Sequence, residues 1–109
     1  MGVVAKRFDI HLVDLDPTLG AEIQKTRPCV IISPDEMNDY IQTVIIAPIT
    51  SKERDYPTRI SCIIQNRQGY IVLDQIRTID KHRLIKKIGV IDESTQRQVL
   101  EILAEIFAP

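Results

Sequence analysis

The chain has 109 residues, 44% apolar and 27% charged, with a formal net charge of −1. That length fits one ordinary domain, residues 1–109, and no apolar run approaches the roughly 20 residues that span a bilayer. The near-neutral balance argues mildly against a protein held to nucleic acid by bulk charge, and two cysteines and two histidines without clustered spacing form no metal-ligand pattern.

The start, Met-Gly-Val-Val-Ala-Lys-Arg, lacks the apolar stretch of a signal peptide, so a cytoplasmic protein is the default expectation. Phe8, Ile10 and Leu12 alternate with Asp9, His11 and Val13, the period of a strand. A polar loop follows and ends in Arg27-Pro28, where a continuous apolar run from Cys29 to Ile32 begins; such a run suits a buried strand. Pro34-Asp35-Glu36 reads as the first turn of a short helix reaching about Tyr40. Strands are predicted over Thr43–Ile49 and Arg59–Ile64, then a turn at Gln68-Gly69 before Tyr70–Leu73, then a strand around Ile85–Ile91. Asp92 can cap a terminal helix, with Val99, Leu103 and Ile106 on one face and Leu100 and Phe107 widening it. Five or six short strands and one helix predict an α+β fold, a small curved antiparallel barrel with an amphipathic C-terminal helix packed outside. Cys29 and Cys62 lie in strand-like runs and read as reduced core thiols.

Polar residues at strand ends are the candidates for chemistry. Arg27 offers a planar fork of donors for phosphate or carboxylate, and a salt bridge to Glu22 or Asp14 is the structural alternative. Thr50-Ser51 places hydroxyls after the third strand, where they cap a turn or meet a ligand. Asp74, Gln75 and Arg77 close the Tyr70 strand, and the Gln75 amide can pair with backbone or read a base edge. From Arg77 to Lys87, the cations Arg77, Lys81, Arg83, Lys86 and Lys87 face a single acid, Asp80; the stripe is a solvated face or a phosphate track. His11 and His82 fall in different local contexts and are expected to be structural. A curled sheet can bring such strand ends to one rim of cations, hydroxyls and an amide, suited to phosphoryl transfer without metal, with the nucleophile on the substrate.

Two long blocks resemble the MazF/PemK toxins of bacterial toxin–antitoxin systems: Asp9-Ile10, Leu15-Asp16-Pro17-Thr18, Gly20, Glu22, Arg27-Pro28 and Val30–Ser33, and the run Leu73–Lys81 with Arg83-Leu84. Pro48-Ile49-Thr50 stands between them. The resemblance covers essentially the whole chain and implies an SH3-like barrel of the MazF/CcdB type. It further implies a homodimeric, metal-independent, cofactor-free endoribonuclease that cuts single-stranded RNA by 2′-OH attack, leaving a 2′,3′-cyclic phosphate and a 5′-OH. The family's catalytic arginine and threonine match Arg27 and Thr50, and its base-reading contacts fall at Glu22 and near Gln75. Lys25, Ser51 and Arg77 complete the expected RNA-binding set. The chain departs from the pattern at Phe8, where many members carry Gly, and at Ala21, where members carry Ser or His. Without a polar residue at Ala21, Asp74 is the first candidate for the base.

The family also implies a cognate antitoxin with an acidic, disordered tail lying across the basic rim. A gyrase poison of the CcdB kind is the alternative function, although Ala104–Pro109 lacks the Trp-Gly-Ile ending associated with it. A non-catalytic partner-binding barrel is the third reading.

Overall fold

The computed structural model describes residues 4–109. Its elements are β1 (Asp9–Asp14), β2 (Thr26–Ile31), α1 (Asp35–Asn38), β3 (Thr43–Thr50), β4 (Arg59–Ile64), β5 (Arg67–Val72), β6 (Arg77–Asp80), β7 (Leu84–Val90) and α2 (Glu93–Ile106). The strands pair antiparallel in the order β4-β5-β3-β2-β1-β7. The first half of β3 pairs with β6 and its last residues pair with β5. The curled half-barrel with a terminal helix is the architecture that the sequence predicts.

The two-sided burial of the centre explains the unbroken apolar runs. Cys29, Ile31, Val44 and Ile46 enter one cluster with Val13, Leu15, Ile79 and Leu84. Val30, Ile32, Ala47 and Ile49 enter the other with Ile10, Ile60, Ile71, Leu73 and Val99. A strand covered on both faces has no polar face to alternate with. Both thiols are free and buried; burial pushes Cys29 up to about 12 and Cys62 up to about 11, so neither ionises near neutrality.

Three expectations need correction. The sheet has seven strands, because a 3₁₀ turn at Leu73–Gln75 separates β6 from β5. At four residues β6 is too short to show a period of its own. The β4–β5 turn lies at Gln65-Asn66, both at positive φ (49° and 64°), not at Gln68-Gly69. That geometry suits a right-twisted hairpin, and Asn tolerates it better than most residues. Gly69 instead sits inside β5 opposite Cys62, where a Cβ would approach Ile49 Cγ2 to 2.8 Å; glycine is there for close packing.

Asp92 caps α2 by accepting from the Thr95 N–H at 2.8 Å. The packed face runs through Thr95, Val99, Ile102 and Leu103. Burying Val99 contributes on the order of 2 kcal/mol. Leu100 and Phe107, expected to widen this face, are 39% and 70% exposed. Leu100 lies one helical step around from Val99, and Phe107 stands beyond the last helical residue. No described helix is long and apolar enough to cross a membrane.

Candidate functional site

The loop from β1 to β2 is sewn to the barrel by side chains that arrive from far along the sequence. Gln75 uses both ends of its amide: Oε1 accepts from Ile23 N–H at 2.8 Å and Nε2 donates to Ala21 O at 3.3 Å. Arg77 donates to Leu15 O at 3.1 Å, and Arg83 donates to the carbonyls of Asp14 and Asp16. Asp16 Oδ1 accepts from Lys25 N–H at 2.9 Å, and Glu22 Oε1 accepts from Leu19 N–H at 2.6 Å. The loop is therefore held in one shape, with Lys25 at φ 69°.

This shape sets Arg27 as the second residue of β2, opposite Val13. Its Nε donates to Gln24 O at 3.2 Å. Among the described residues, no carboxylate stands within ion-pair distance of Arg27, so neither the Glu22 nor the Asp14 salt bridge forms. Thr50 ends β3 opposite Tyr70. Its oxygen accepts from Lys52 N–H at 3.2 Å, and its O–H hydrogen remains a donor.

Arg27 and Thr50 line the same cleft of about 400 Å³, together with Glu22 and Gln75. Lys52, Arg54, Tyr56 and Arg59 complete its wall. With Arg59 paired to Asp74, the cations Arg27, Lys52 and Arg54 face Glu22 alone among the lining acids, so a near-neutral chain presents a locally basic hollow. The last four of these wall residues are absent from the sequence-based set. For Lys52, Arg54 and Tyr56 the signal was the charged, aromatic-ended segment that follows Thr50-Ser51.

The other candidates are dispersed. Ser51 lines a smaller hollow of about 240 Å³ that shares Arg27 and Thr50. Asp74 and Arg77 line a neighbouring one of about 420 Å³ that shares Glu22 and Gln75. Lys25 lines none of these. Asp74 is committed to Arg59: Nε meets Oδ1 at 3.0 Å and Nη2 meets Oδ2 at 3.2 Å, while Thr58 Oγ1 donates to Oδ1 at 2.8 Å. Burial pushes the Asp74 carboxyl up, but the bonds from Arg59, Thr58 and its own backbone together outweigh it and leave it below 3.8.

The basic stripe resolves mostly into structural contacts. Arg77 and Arg83 hold the first loop, Lys81 donates to Asn38 O, and Lys87 pairs with Asp9 at 3.3 Å. Neither histidine lines the cleft. His11 is buried, and burial lowers its pKa below 6.5 against the opposing pull of Asp9. His82 is exposed and pairs with Asp80 at 2.7 Å. Among the described residues, no group of three His, Cys, Asp or Glu gathers as a metal site requires.

The fold is a small curled half-barrel whose cleft gathers an arginine, a threonine hydroxyl and further cations. The family model of the PemK-like, MazF-like toxin of type II toxin–antitoxin systems matches residues 6–107, and the chain belongs to that family. It is 37% identical over 108 residues to endoribonuclease EndoA of Bacillus subtilis, covering 93% of this chain and 92% of that protein. It is equally 37% identical to endoribonuclease MazF of Staphylococcus saprophyticus, over 86% of this chain and 83% of that one. The fold superposes on MazF of Deinococcus radiodurans with a TM-score of 0.87 at 19% identity, covering 98% and 99% of the two chains. A mycobacterial endoribonuclease solved with its cognate antitoxin gives 0.83 at 22% identity, over 97% and 98%.

Proposed function

We propose that this chain is the toxin of a toxin–antitoxin pair, an endoribonuclease that cuts single-stranded RNA in the cytoplasm. The observation that carries the reading is that Arg27 and Thr50 line one cationic cleft while Arg27 has no carboxylate partner among the described residues. The family membership and the two endoribonuclease relatives support it.

The chemistry proposed needs no metal or cofactor. The ribose 2′-oxygen attacks the adjacent phosphorus, the P–O2′ bond forms and the P–O5′ bond breaks. The products are a 2′,3′-cyclic phosphate and a 5′-OH, the 2′-OH proton passing to solvent water and a proton being delivered to the leaving 5′-oxygen. Arg27 clamps the non-bridging oxygens, where charge grows, and Thr50 donates to them. Arginine is a poor base because its pKa exceeds about 12, so Arg27 serves as clamp and as acid toward the leaving oxygen. Asp74, ion-paired and acidic, is assigned to holding Arg59 rather than to accepting the 2′-OH proton. The first loop and the cations of the second receive the neighbouring nucleotides. The unit that acts is proposed to be a homodimer of one-domain chains, inhibited by an antitoxin whose acidic tail occupies the same cleft. The solved complexes of MazF-like proteins with antitoxins support that partner.

The test is incubation of purified protein with a long, defined, naked RNA in EDTA, followed by mapping of the cuts and their ends. Cleavage leaving cyclic phosphate and 5′-OH is expected, with no gyrase present. Intact RNA, or folded Arg27→Ala and Thr50→Ala variants that cut like wild type, overturns the reading.

A further inference from the structure

Three exposed aromatics stand on the described surface: Tyr40, Tyr56 and Phe107, of which Tyr56 alone lines the cationic cleft. Tyr56 is 52% exposed as a residue. The Arg59 guanidinium packs on the ring, 5.0 Å from its centroid. That guanidinium is itself immobilised, its side chain only 11% exposed and its fork closed on both oxygens of Asp74. Thr58 steadies Asp74, and Arg59 N–H donates to Tyr56 O at 3.0 Å, fixing the short segment between them. Ring and guanidinium thus stack, the Asp74 carboxylate closing the edge of the guanidinium, while half of Tyr56 stays exposed.

We propose that Tyr56 is a base-stacking residue, a platform for an unpaired nucleobase beside the phosphate held by Arg27 and Thr50. This rests on the reading of the cleft as an RNA site. Single-stranded RNA presents unstacked bases, and proteins take them on aromatic faces with little sequence preference. The charge of Arg59 is balanced by Asp74, so the stack adds an apolar plane rather than another phosphate contact. Arg27, Lys52 and Arg54 supply the unbalanced charge for the backbone. A cation behind the ring and a base in front is a sandwich that the geometry prepares in advance. Asp74 and Arg59 are then positioning residues, acting on RNA through Tyr56.

The experiment uses two non-cleavable probes of equal length, a mixed-sequence 2′-O-methyl oligonucleotide and an abasic sugar–phosphate oligomer. Tyr56→Ala is expected to weaken the base-bearing probe by roughly 5- to 100-fold and to leave the abasic probe's binding as in wild type. Cleavage should lose through KM rather than kcat, and Tyr56→Phe should recover most of the affinity, since the ring and not the hydroxyl is used. The chain has no tryptophan, so Tyr56→Trp provides a single reporter whose emission is expected to be quenched by the base-bearing probe and not by the abasic one. If Tyr56→Ala binds both probes like wild type, or loses both equally, the proposal is overturned. If that variant does not fold, equal response of the Tyr56→Trp emission to both probes overturns it. A wild type that cuts no RNA sinks the nuclease reading; a wild type that cuts, beside a Tyr56→Ala of unchanged KM, sinks this inference alone.

Discussion

The loop from Leu15 to Lys25 and the loop from Ser51 to Thr58 border the same cleft and use their polar groups in opposite ways. In the first, Asp16, Glu22, Gln75, Arg77 and Arg83 all bond to the loop's own backbone. In the second, the ties come at intervals, Glu53 to the Tyr70 hydroxyl at 2.9 Å and Thr58 to Asp74, while Lys52 and Arg54 on either side of Glu53 line the cleft. The first loop gives the site its shape and the second gives it charge that is still available. Polar residue type therefore says little about ligand binding until it is known which groups are already satisfied.

Arg27 is the residue on which both loops converge. Arg27→Ala should lower kcat by about 100- to 1000-fold, the usual size of losing one charge-stabilising donor, with thermal melting unchanged; single-turnover cleavage measures it. Next comes Gln75→Ala, which unlaces the first loop. Cleavage should fall about 10-fold, the loss of about one hydrogen bond's worth of loop order, equally across RNA sequences. A variant that instead changes which sequences are cut would make Gln75 a base reader and erase the contrast between the loops. The double variant Lys52→Ala, Arg54→Ala should weaken RNA binding several-fold and flatten the slope of log K against log salt by about 1.4, two contacts at about 0.7 each. An unchanged slope would mean that the second loop's charges are idle.

The smallest effect is on stability against pH. Asp74 titrates below 3.8 in the fold, so its contribution is present above that value and disappears as the pH falls through its lowered pKa. Asp74→Asn should therefore reduce the loss of melting temperature between pH 5 and pH 2.5 by a few degrees. It should also leave kcat at neutral pH close to wild type. A large loss of kcat would return Asp74 to the role of base.

Much of the frame is legible in the sequence because it rests on local rules. The bounds of β4, the Asp92 cap and the apolar run of β2 follow from propensity, capping and period. What escapes notice depends on tertiary approach. Gly69 looks like a turn residue until Ile49 is packed against it, and the real turn at Gln65-Asn66 lacks glycine altogether. Of the site, Arg27, Thr50, Glu22 and Gln75 are brought into one cleft as the strand ends suggest. Asp74, Arg77 and most of the basic stripe are drawn off by partners up to 69 positions away, which no local pattern reveals. Tyr56 and Arg59 gain their meaning only through Asp74.

Arg27 and Thr50 stand near the ends of β2 and β3, the strands whose residues enter both apolar clusters. Amides in such doubly covered strands are among the last to exchange with solvent, while loops between them open at little cost. The two side chains are thus moored to the slowest part of the molecule and the walls around them to faster parts. On the proposed reading, substitutions in the walls change which RNA is admitted without moving the moorings, so specificity drifts while the chemistry stays put.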